Sequence, residues 1–178
     1  MRWQPDDMEQ KLLISQHAIQ SRIKELASQI SSDYSGKELV AVGVLNGAVF
    51  FFTDIVREIT IPLKMDFIRA ASYGSGSSSC GDVRLTKKIE IPIKDKSVLL
   101  IEDIVDTGLT LSKILDIIRE QRPESIKICA LIDKRERREK RLFIDYCGFQ
   151  VNEGFLIGYG LDYDEEYRCL RDIYTLRF

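Results

Sequence analysis

Near the middle of the chain, three acids and two threonines surround one glycine: Glu102, Asp103, Asp106, Thr107, Gly108 and Thr110. Carboxylates accept hydrogen bonds from sugar hydroxyls and supply the oxygen ligands that Mg²⁺ prefers. A turn of small residues exposes backbone amides that can hold a phosphate. The cluster therefore favours a site for a phosphorylated sugar. Helix capping by Asp106 and Thr107 is the simpler interpretation, and it is compatible with such a site.

A buried strand and an amphipathic helix are predicted on either side of this cluster. The apolar run from Val98 to Ile101, continued by Ile104 and Val105, indicates a strand covered on both faces. Apolar residues then recur at helical spacing, at Leu111, Ile114, Leu115 and Ile118. The acids thus follow the carboxyl end of the strand. The segment from Asp106 to Thr110 lies at the helix N-terminus, where free amides and the helix dipole favour a phosphate.

The rest of the hydrophobic pattern alternates strands with helices. A helix is predicted within Met8 to Ser31, and a second one is marked by Phe52, Ile55, Val56 and Ile59. Extended segments are predicted at Leu39 to Val44, Leu63 to Ala71, Asp82 to Ile91, Ile126 to Ile132 and Phe155 to Tyr159. This alternation predicts an α/β fold with a central parallel sheet flanked by helices.

A serine- and glycine-rich segment, Ser72 to Gly81, separates two of the extended segments. Such a composition is typical of a flexible linker. Because the segment joins two predicted strands, we favour a mobile hairpin tip.

Length and composition limit the classes of protein that the chain can belong to. With 178 residues, 44% of them hydrophobic, one domain with a small appendage is expected. The net charge of −2 gives no general basic surface for nucleic acid. Four widely spaced cysteines indicate neither a zinc site nor a disulfide framework, and we expect reduced thiols in the cytoplasm. No signal region and no run of about 20 apolar residues is found, which predicts a soluble protein.

Five separated segments make the sequence similar to a known enzyme family. Val98 to Thr110 resembles the diphosphate-ribose signature of the type I phosphoribosyltransferases. Four others narrow the resemblance to the hypoxanthine (hypoxanthine-guanine) phosphoribosyltransferases: Leu45-Asn46-Gly47, Ser72-Tyr73, Asp133-Lys134 and Phe155 to Tyr163. The resemblance implies a single phosphoribosyltransferase domain over residues 1–178. It would carry a β-hairpin lid at about residues 66–91 and a hood formed by the N-terminal segment and about residues 142–178.

The resemblance also implies an activity. The enzyme would transfer ribose 5-phosphate from 5-phosphoribosyl 1-diphosphate to hypoxanthine, and to guanine, with Mg²⁺ as cofactor. Asp106 would bond purine N7 and assist proton transfer, since the only histidine, His17, is predicted on the surface of the first helix. Glu102 and Asp103 would hold the ribose hydroxyls and the metal, together with Asp162.

The implied binding residues fall into two groups. Those for the diphosphate sugar include the three acids of the signature together with Leu45, Asn46, Gly47, Ser72, Tyr73, Thr107, Gly108, Leu109, Thr110 and Arg168. Those for the purine are Ile104, Lys134, Phe155, Leu156 and Asp162. The resemblance implies a cis peptide bond between Leu45 and Asn46. Some relatives carry lysine or arginine at the position of Asn46, so this loop is expected to contribute no side-chain charge.

Three alternatives stay open at this point. The chain could be a regulator that binds the diphosphate sugar and acts on RNA or a promoter, although its near-neutral charge disfavours this. It could be an enzyme that prefers guanine, xanthine or a pyrimidine. It could be a structural domain that leaves the acids idle. The partners implied by the resemblance are small-molecule substrates and, as in relatives, a homodimer or homotetramer, with neither nucleic acid nor membrane.

Overall fold

A sheet of six strands forms the centre of the molecule. The computed structural model describes residues 9–72 and 83–177. Within them the elements are, in chain order, β1 (Glu9–Ile14), α1 (Gln16–Asp33), β2 (Leu39–Leu45), α2 (Val49–Glu58), β3 (Leu63–Ser72), β4 (Val83–Lys87), β5 (Ser97–Val105), α3 (Leu109–Glu120), β6 (Ser125–Lys134), β7 (Tyr146–Val151), β8 (Phe155–Ile157) and β9 (Ile173–Arg177). The six strands run in the order β4-β3-β2-β5-β6-β7 and are parallel except for β4. The predicted α/β class is confirmed.

The middle strand β5 is buried on both faces, as its apolar run predicts. Leu99 and Ile101 belong to a core cluster that includes the buried residues of α1 and α2. Val98 and Leu100 belong to a second cluster that includes the buried face of α3. Because side chains alternate along a strand, one apolar run serves both layers. The helices therefore cover opposite faces, and the carboxyl ends of the strands stay open for a site.

The start of the first predicted helix was wrong. Residues Glu9–Ile14 form β1, and α1 begins only at Gln16, after Ser15, whose hydroxyl accepts a hydrogen bond from the Ala18 amide at 3.3 Å. The strand forms because it pairs antiparallel with β9, at the other end of the sequence. The apolar stripe that predicted the helix starts at Ile19, within α1, where His17 is exposed as expected.

A smaller sheet joins the two ends of the chain. Its three strands lie in the order β1-β9-β8, whereas β7 pairs with β6 and belongs to the main sheet. β3 and β4 pair antiparallel on either side of residues 73–82. These residues, which include the predicted site residue Tyr73, lie outside the described residues. The boundaries of the lid and the hood stay predictions. In the part of the chain that the structure describes, no helix is long and apolar enough to cross a bilayer.

A buried carboxylate ties β3 to the segment that follows β4. Asp66 is 7% exposed and accepts hydrogen bonds from the amides of Phe67, Glu90 and Ile91 and from the Lys87 ammonium group, at 2.6–3.1 Å. Burial raises the pKa of Asp66, but these hydrogen bonds outweigh it and leave the pKa below its usual value. The ionised carboxylate therefore stabilises the fold.

We expect the substitution Asp66→Ala to lower the free energy of unfolding by about 3 kcal/mol at pH 7. Because the folded-state pKa is lowered, this contribution is complete above about pH 5 and is lost as the pH falls through the lowered value. Urea denaturation from pH 7 to pH 3 measures the difference between variant and wild type. The exposed Asp116, paired with Arg119 on α3, provides the control Asp116→Ala, with an expected change under about 0.5 kcal/mol. A difference for Asp66→Ala that stays constant with pH would contradict this account.

Candidate active site

The carboxyl ends of β2 and β5 border a cavity of about 340 Å³. Most of the predicted site residues line it: Leu45, Asn46, Gly47, Glu102, Asp103, Ile104, Asp106, Thr107, Gly108, Thr110, Asp162 and Arg168. Three separate stretches of sequence thus meet at one edge of the sheet. A cavity of this volume fits a small-molecule ligand.

Four of the predicted residues do not line this cavity. They are Leu109, Lys134, Phe155 and Leu156. The side chain of Ser72 is not described, so its contact with the cavity stays a prediction. Lys134 ends β6 beside the end of β5, is 6% exposed, and places its ammonium group 3.4 Å from a Glu136 carboxylate oxygen. Phe155 is 41% exposed and meets the Tyr163 ring edge-on, with the centroids 5.5 Å apart. Lys134 therefore shares the sheet edge with the acids, as predicted, but its charge is already paired.

The adjacent acids Glu102 and Asp103 are held in an unfavourable electrostatic environment. Burial, and then the charge of Asp103, raise the pKa of Glu102 well above its usual value. Burial also raises the pKa of Asp103, against a hydrogen bond with Glu102 and the positive charge of Arg168. Among residues 9–72 and 83–177, neither carboxylate makes an ion pair within 4.0 Å. The pair thus favours a bound proton or cation.

The carboxylates of Glu102 and Asp103 fit a hard divalent cation that takes its remaining ligands from water and substrate. No group of three or more histidine, cysteine or acidic side chains is placed to hold a metal within the described ranges. The predicted third ligand, Asp162, instead pairs with Arg168, with an oxygen-to-nitrogen distance of 2.9 Å. Two carboxylates, with waters and substrate oxygens completing the shell, are a usual environment for Mg²⁺ but a poor one for zinc.

The turn between β5 and α3 is shaped to present backbone amides. We call residues Asp106 to Thr110 the phosphate loop. Gly108 adopts a φ of 80°, which strains any residue with a side chain, and α3 starts directly after it. The amides of the first helical turn lack partners within the helix. One carboxylate oxygen of Asp106 is buried and has no hydrogen-bond partner among residues 9–72 and 83–177, which marks it as a group that awaits a ligand.

Two glycines allow the segments of the site to approach each other. A side chain at Gly47 would collide with the Asp103 carboxylate, and one at Gly160 would collide with the Gly47 carbonyl oxygen. The peptide bond between Leu45 and Asn46 is cis, as the resemblance implies. The turn after β8 therefore packs against the end of β2, which packs against the end of β5.

Sequence reasoning missed Arg138, whose side chain contacts the phosphate loop. Arg138 lies in the charged run after Lys134, which predicts a solvated surface. Its side chain is only 14% exposed, and its guanidinium group donates to the carbonyl oxygens of Val105 and Asp106. The neighbouring Arg137, 67% exposed, places its guanidinium 3.8 Å from the Asp106 carboxylate. The charged run from Lys134 to Arg141 contains no sequence signal that separates these two arginines.

Comparisons with known proteins give a consistent picture. The family model of the phosphoribosyl transferase domain matches residues 10–164. The hypoxanthine phosphoribosyltransferase of Haemophilus influenzae is 43% identical over 162 residues, which cover 89% of this chain and 90% of that protein. The hypoxanthine-guanine phosphoribosyltransferase of Bacillus subtilis is 40% identical, over 94% of this chain and 93% of its own. A crystal structure of a hypoxanthine phosphoribosyltransferase from Staphylococcus aureus superposes with a TM-score of 0.90 at 40% identity, covering 94% of this chain and 91% of that one.

Proposed function

The chain belongs to the phosphoribosyltransferase family, and on that premise we propose that it is a purine-salvage enzyme. It transfers ribose 5-phosphate from 5-phosphoribosyl 1-diphosphate to hypoxanthine or guanine, releasing pyrophosphate and forming IMP or GMP. One observation carries the proposal: the acid pair, Asp106 and the amides at the start of α3 line a single cavity. The acid pair suits a ribose, Asp106 suits the reacting base, and the amides suit a phosphate.

The phosphate loop holds the 5-phosphate of the sugar. Its amides and the hydroxyl groups of Thr107 and Thr110 donate hydrogen bonds, and the N-terminus of α3 adds the positive end of its dipole. The carboxylates of Glu102 and Asp103 accept hydrogen bonds from the ribose hydroxyls. The ribose is thereby fixed at both ends, which orients its anomeric carbon towards the base.

The leaving pyrophosphate lies on the other side of the sugar. The Leu45 to Gly47 loop presents its backbone there, and Arg168 supplies a guanidinium that suits phosphate oxygens. Glu102 and Asp103 would hold Mg²⁺, with Asp162 near it. The bound metal would supply positive charge that offsets the charge of the leaving pyrophosphate.

The base is read at the carboxyl end of β6 and along β8. The Lys134 ammonium group donates to the oxygen at C6, which favours a 6-oxopurine over adenine, because adenine carries an amine there. This requires Lys134 to exchange its contact with Glu136 for the purine. Phe155, more than a third exposed, stacks on the ring, the Leu156 backbone reads its edge, and Ile104 and Asp162 complete the pocket. Asp106 bonds purine N7 and assists the proton transfer.

Pyrophosphate release with five bases tests the proposal. With 5-phosphoribosyl 1-diphosphate and Mg²⁺, we expect hypoxanthine and guanine to be turned over with a kcat/KM at least 100-fold above those for adenine and uracil, with xanthine ranked in the same assay. Reactions without a base control for hydrolysis of the sugar. Tight binding of the diphosphate sugar without turnover of any base would overturn the enzyme and favour the regulator.

The proposal also includes a cellular location, a lid and an oligomeric state. We place the enzyme in the cytoplasm, with a hairpin lid supported by the antiparallel pair β3 and β4. A homodimer or homotetramer is supported by large apolar side chains exposed on the described surface: Leu12, Leu13, Phe50 and Met65. Apolar side chains that form one exposed patch favour burial against a second copy.

A further inference from the structure

We propose that Arg138 is a positioning residue for the phosphate loop, and that it acts by fixing the direction of the loop's backbone amides. The inference rests on the proposed function, since it gives these amides a 5-phosphate to bind. Arg138 touches no substrate in this proposal. It holds the carbonyl side of the loop so that the amide side faces the cavity.

The guanidinium of Arg138 bridges the ends of two neighbouring strands. Its Nε donates to the Asp106 carbonyl at 2.7 Å, and one terminal nitrogen donates to the Val105 carbonyl at 2.6 Å. The same nitrogen donates to the Lys134 carbonyl at 3.0 Å. The planar guanidinium thus serves the last carbonyl of β5, the carbonyl that follows it and the last carbonyl of β6, and its terminal nitrogen shares its two hydrogens among its acceptors. The side chain is therefore a rigid link between the phosphate loop and the end of β6.

A buried carboxylate holds the fork in place. One oxygen of Asp133, which is 3% exposed, lies 2.6 Å from the terminal nitrogen of Arg138. Its other oxygen pairs with Nε of Arg135 at 2.8 Å, and the Arg135 side chain is 64% exposed. Charge-assisted hydrogen bonds of this length, shielded from water, keep Arg138 in one rotamer. Arg135 shares the carboxylate but contributes none of the bonds to the phosphate loop.

The residues after Arg138 continue the same contact. The amides of Glu139 and Lys140 both donate to the Thr107 carbonyl, at 2.9 and 3.0 Å. Three successive carbonyls, those of Val105, Asp106 and Thr107, thus accept hydrogen bonds from one segment.

Because the peptide bond is planar, holding the carbonyls of the phosphate loop also sets the direction of its amides. In a planar trans peptide, the carbonyl of one residue points opposite to the amide of the next. Fixing the carbonyls of Asp106 and Thr107 therefore turns the amides of Thr107 and Gly108 away from residues 138–140. Both residues line the cavity. The amides that bind phosphate are thus oriented before the ligand arrives.

Calorimetric binding of IMP to Arg138→Met tests the inference, with Arg135→Met as the matched control. Both changes remove an arginine bonded to Asp133, but only the first removes the bonds to the phosphate loop. We expect the Kd for IMP to rise at least 10-fold in Arg138→Met and less than 2-fold in Arg135→Met. The Kd for pyrophosphate with Mg²⁺ should stay within 2-fold in both, which a general loss of structure would not allow.

A second readout needs no ligand. In amide NMR spectra of the free protein, the signals of Thr107 and Gly108 should shift in Arg138→Met and stay in place in Arg135→Met. If Arg138→Met fails to fold, Arg138→Lys replaces it, with an expected intermediate rise in the Kd for IMP, because an ammonium group keeps the charge and loses the fork. An unchanged Kd for IMP and unchanged amide signals in the folded variant would overturn the inference. A wild-type protein that fails to bind IMP would instead refute the proposed function, while the amide signals would still decide the role of Arg138.

Discussion

Replacing Asp106 by asparagine is expected to lower kcat by about 10²- to 10⁴-fold, the range typical of a lost general acid or base. The amide of asparagine has nearly the shape of the carboxylate but cannot accept or release a proton at neutral pH. The backbone of residue 106 stays bonded to Arg138, so the phosphate loop keeps its geometry. Because the buried carboxylate oxygen has no partner within the described residues, its replacement breaks no existing hydrogen bond there. We therefore expect the loss in kcat with less than about a threefold change in the Kd for 5-phosphoribosyl 1-diphosphate.

Single-turnover release of pyrophosphate, with the Kd measured separately, distinguishes these effects. Asp164→Asn is the matched control, because Asp164 belongs to an acidic turn that we assign to solvent and carries the same chemical change. Its kcat should stay within twofold of the wild type. If Asp106→Asn retains full kcat, Asp106 takes no part in the proton transfer, and the role assigned to it is wrong.

Removing one charge of the acid pair is expected to stabilise the protein while it disables the enzyme. Burial raises the pKa values of Glu102 and Asp103, so the folded state disfavours their ionised forms. A raised folded-state pKa means that stability is lost as the pH rises from the usual carboxyl range to the raised value. At pH 7.5 without Mg²⁺, Asp103→Asn should raise the unfolding free energy by about 1–3 kcal/mol, or Tm by about 3–8 °C. The loss of a metal and ribose ligand should lower kcat/KM by about 10²-fold or more.

Thermal unfolding with and without Mg²⁺ measures the change in stability and the response to the metal, and pyrophosphate release measures the loss of kcat/KM. The wild-type Tm should rise as Mg²⁺ is added, and the Asp103→Asn Tm should respond much less. Without the metal, the wild type should also be more stable at pH 5.5 than at pH 8. Asp116→Asn, an exposed change of the same kind, should alter neither Tm nor the response to Mg²⁺. A lower Tm for Asp103→Asn in the absence of Mg²⁺ would show that the acid pair stabilises the fold.

Local patterns predicted the part of the fold that carries the site. The apolar run of β5 and the helical spacing of α3 depend on burial by nearby layers, and both are visible in a short window of sequence. β1 was missed because its conformation depends on β9, which lies more than 150 residues away in the chain. The strand β7 was also not predicted, since it follows a charged segment and has no strict alternation of apolar and polar residues.

In the candidate site, too, contacts between distant parts of the chain could not be predicted from the sequence. Motif positions identified most of the residues that line the cavity. They did not identify Arg138, since its contacts come from the way residues 138–140 fold back against β5. They also did not show that Lys134 is paired with Glu136 or Asp162 with Arg168, because ion pairs depend on distances in space.

The small sheet has a practical consequence for anyone who handles the protein. Glu9 and Arg177 are paired neighbours on β1 and β9, so both ends of the described chain leave from adjacent strands. The third strand, β8, leads directly into the turn that carries Asp162 and Arg168. An affinity tag or a fused domain attached close to Glu9 or Arg177 is therefore expected to disturb the sheet that supports the pyrophosphate side of the cavity. A linker long enough to leave β1 and β9 undisturbed keeps the tag or fused domain from affecting the active site.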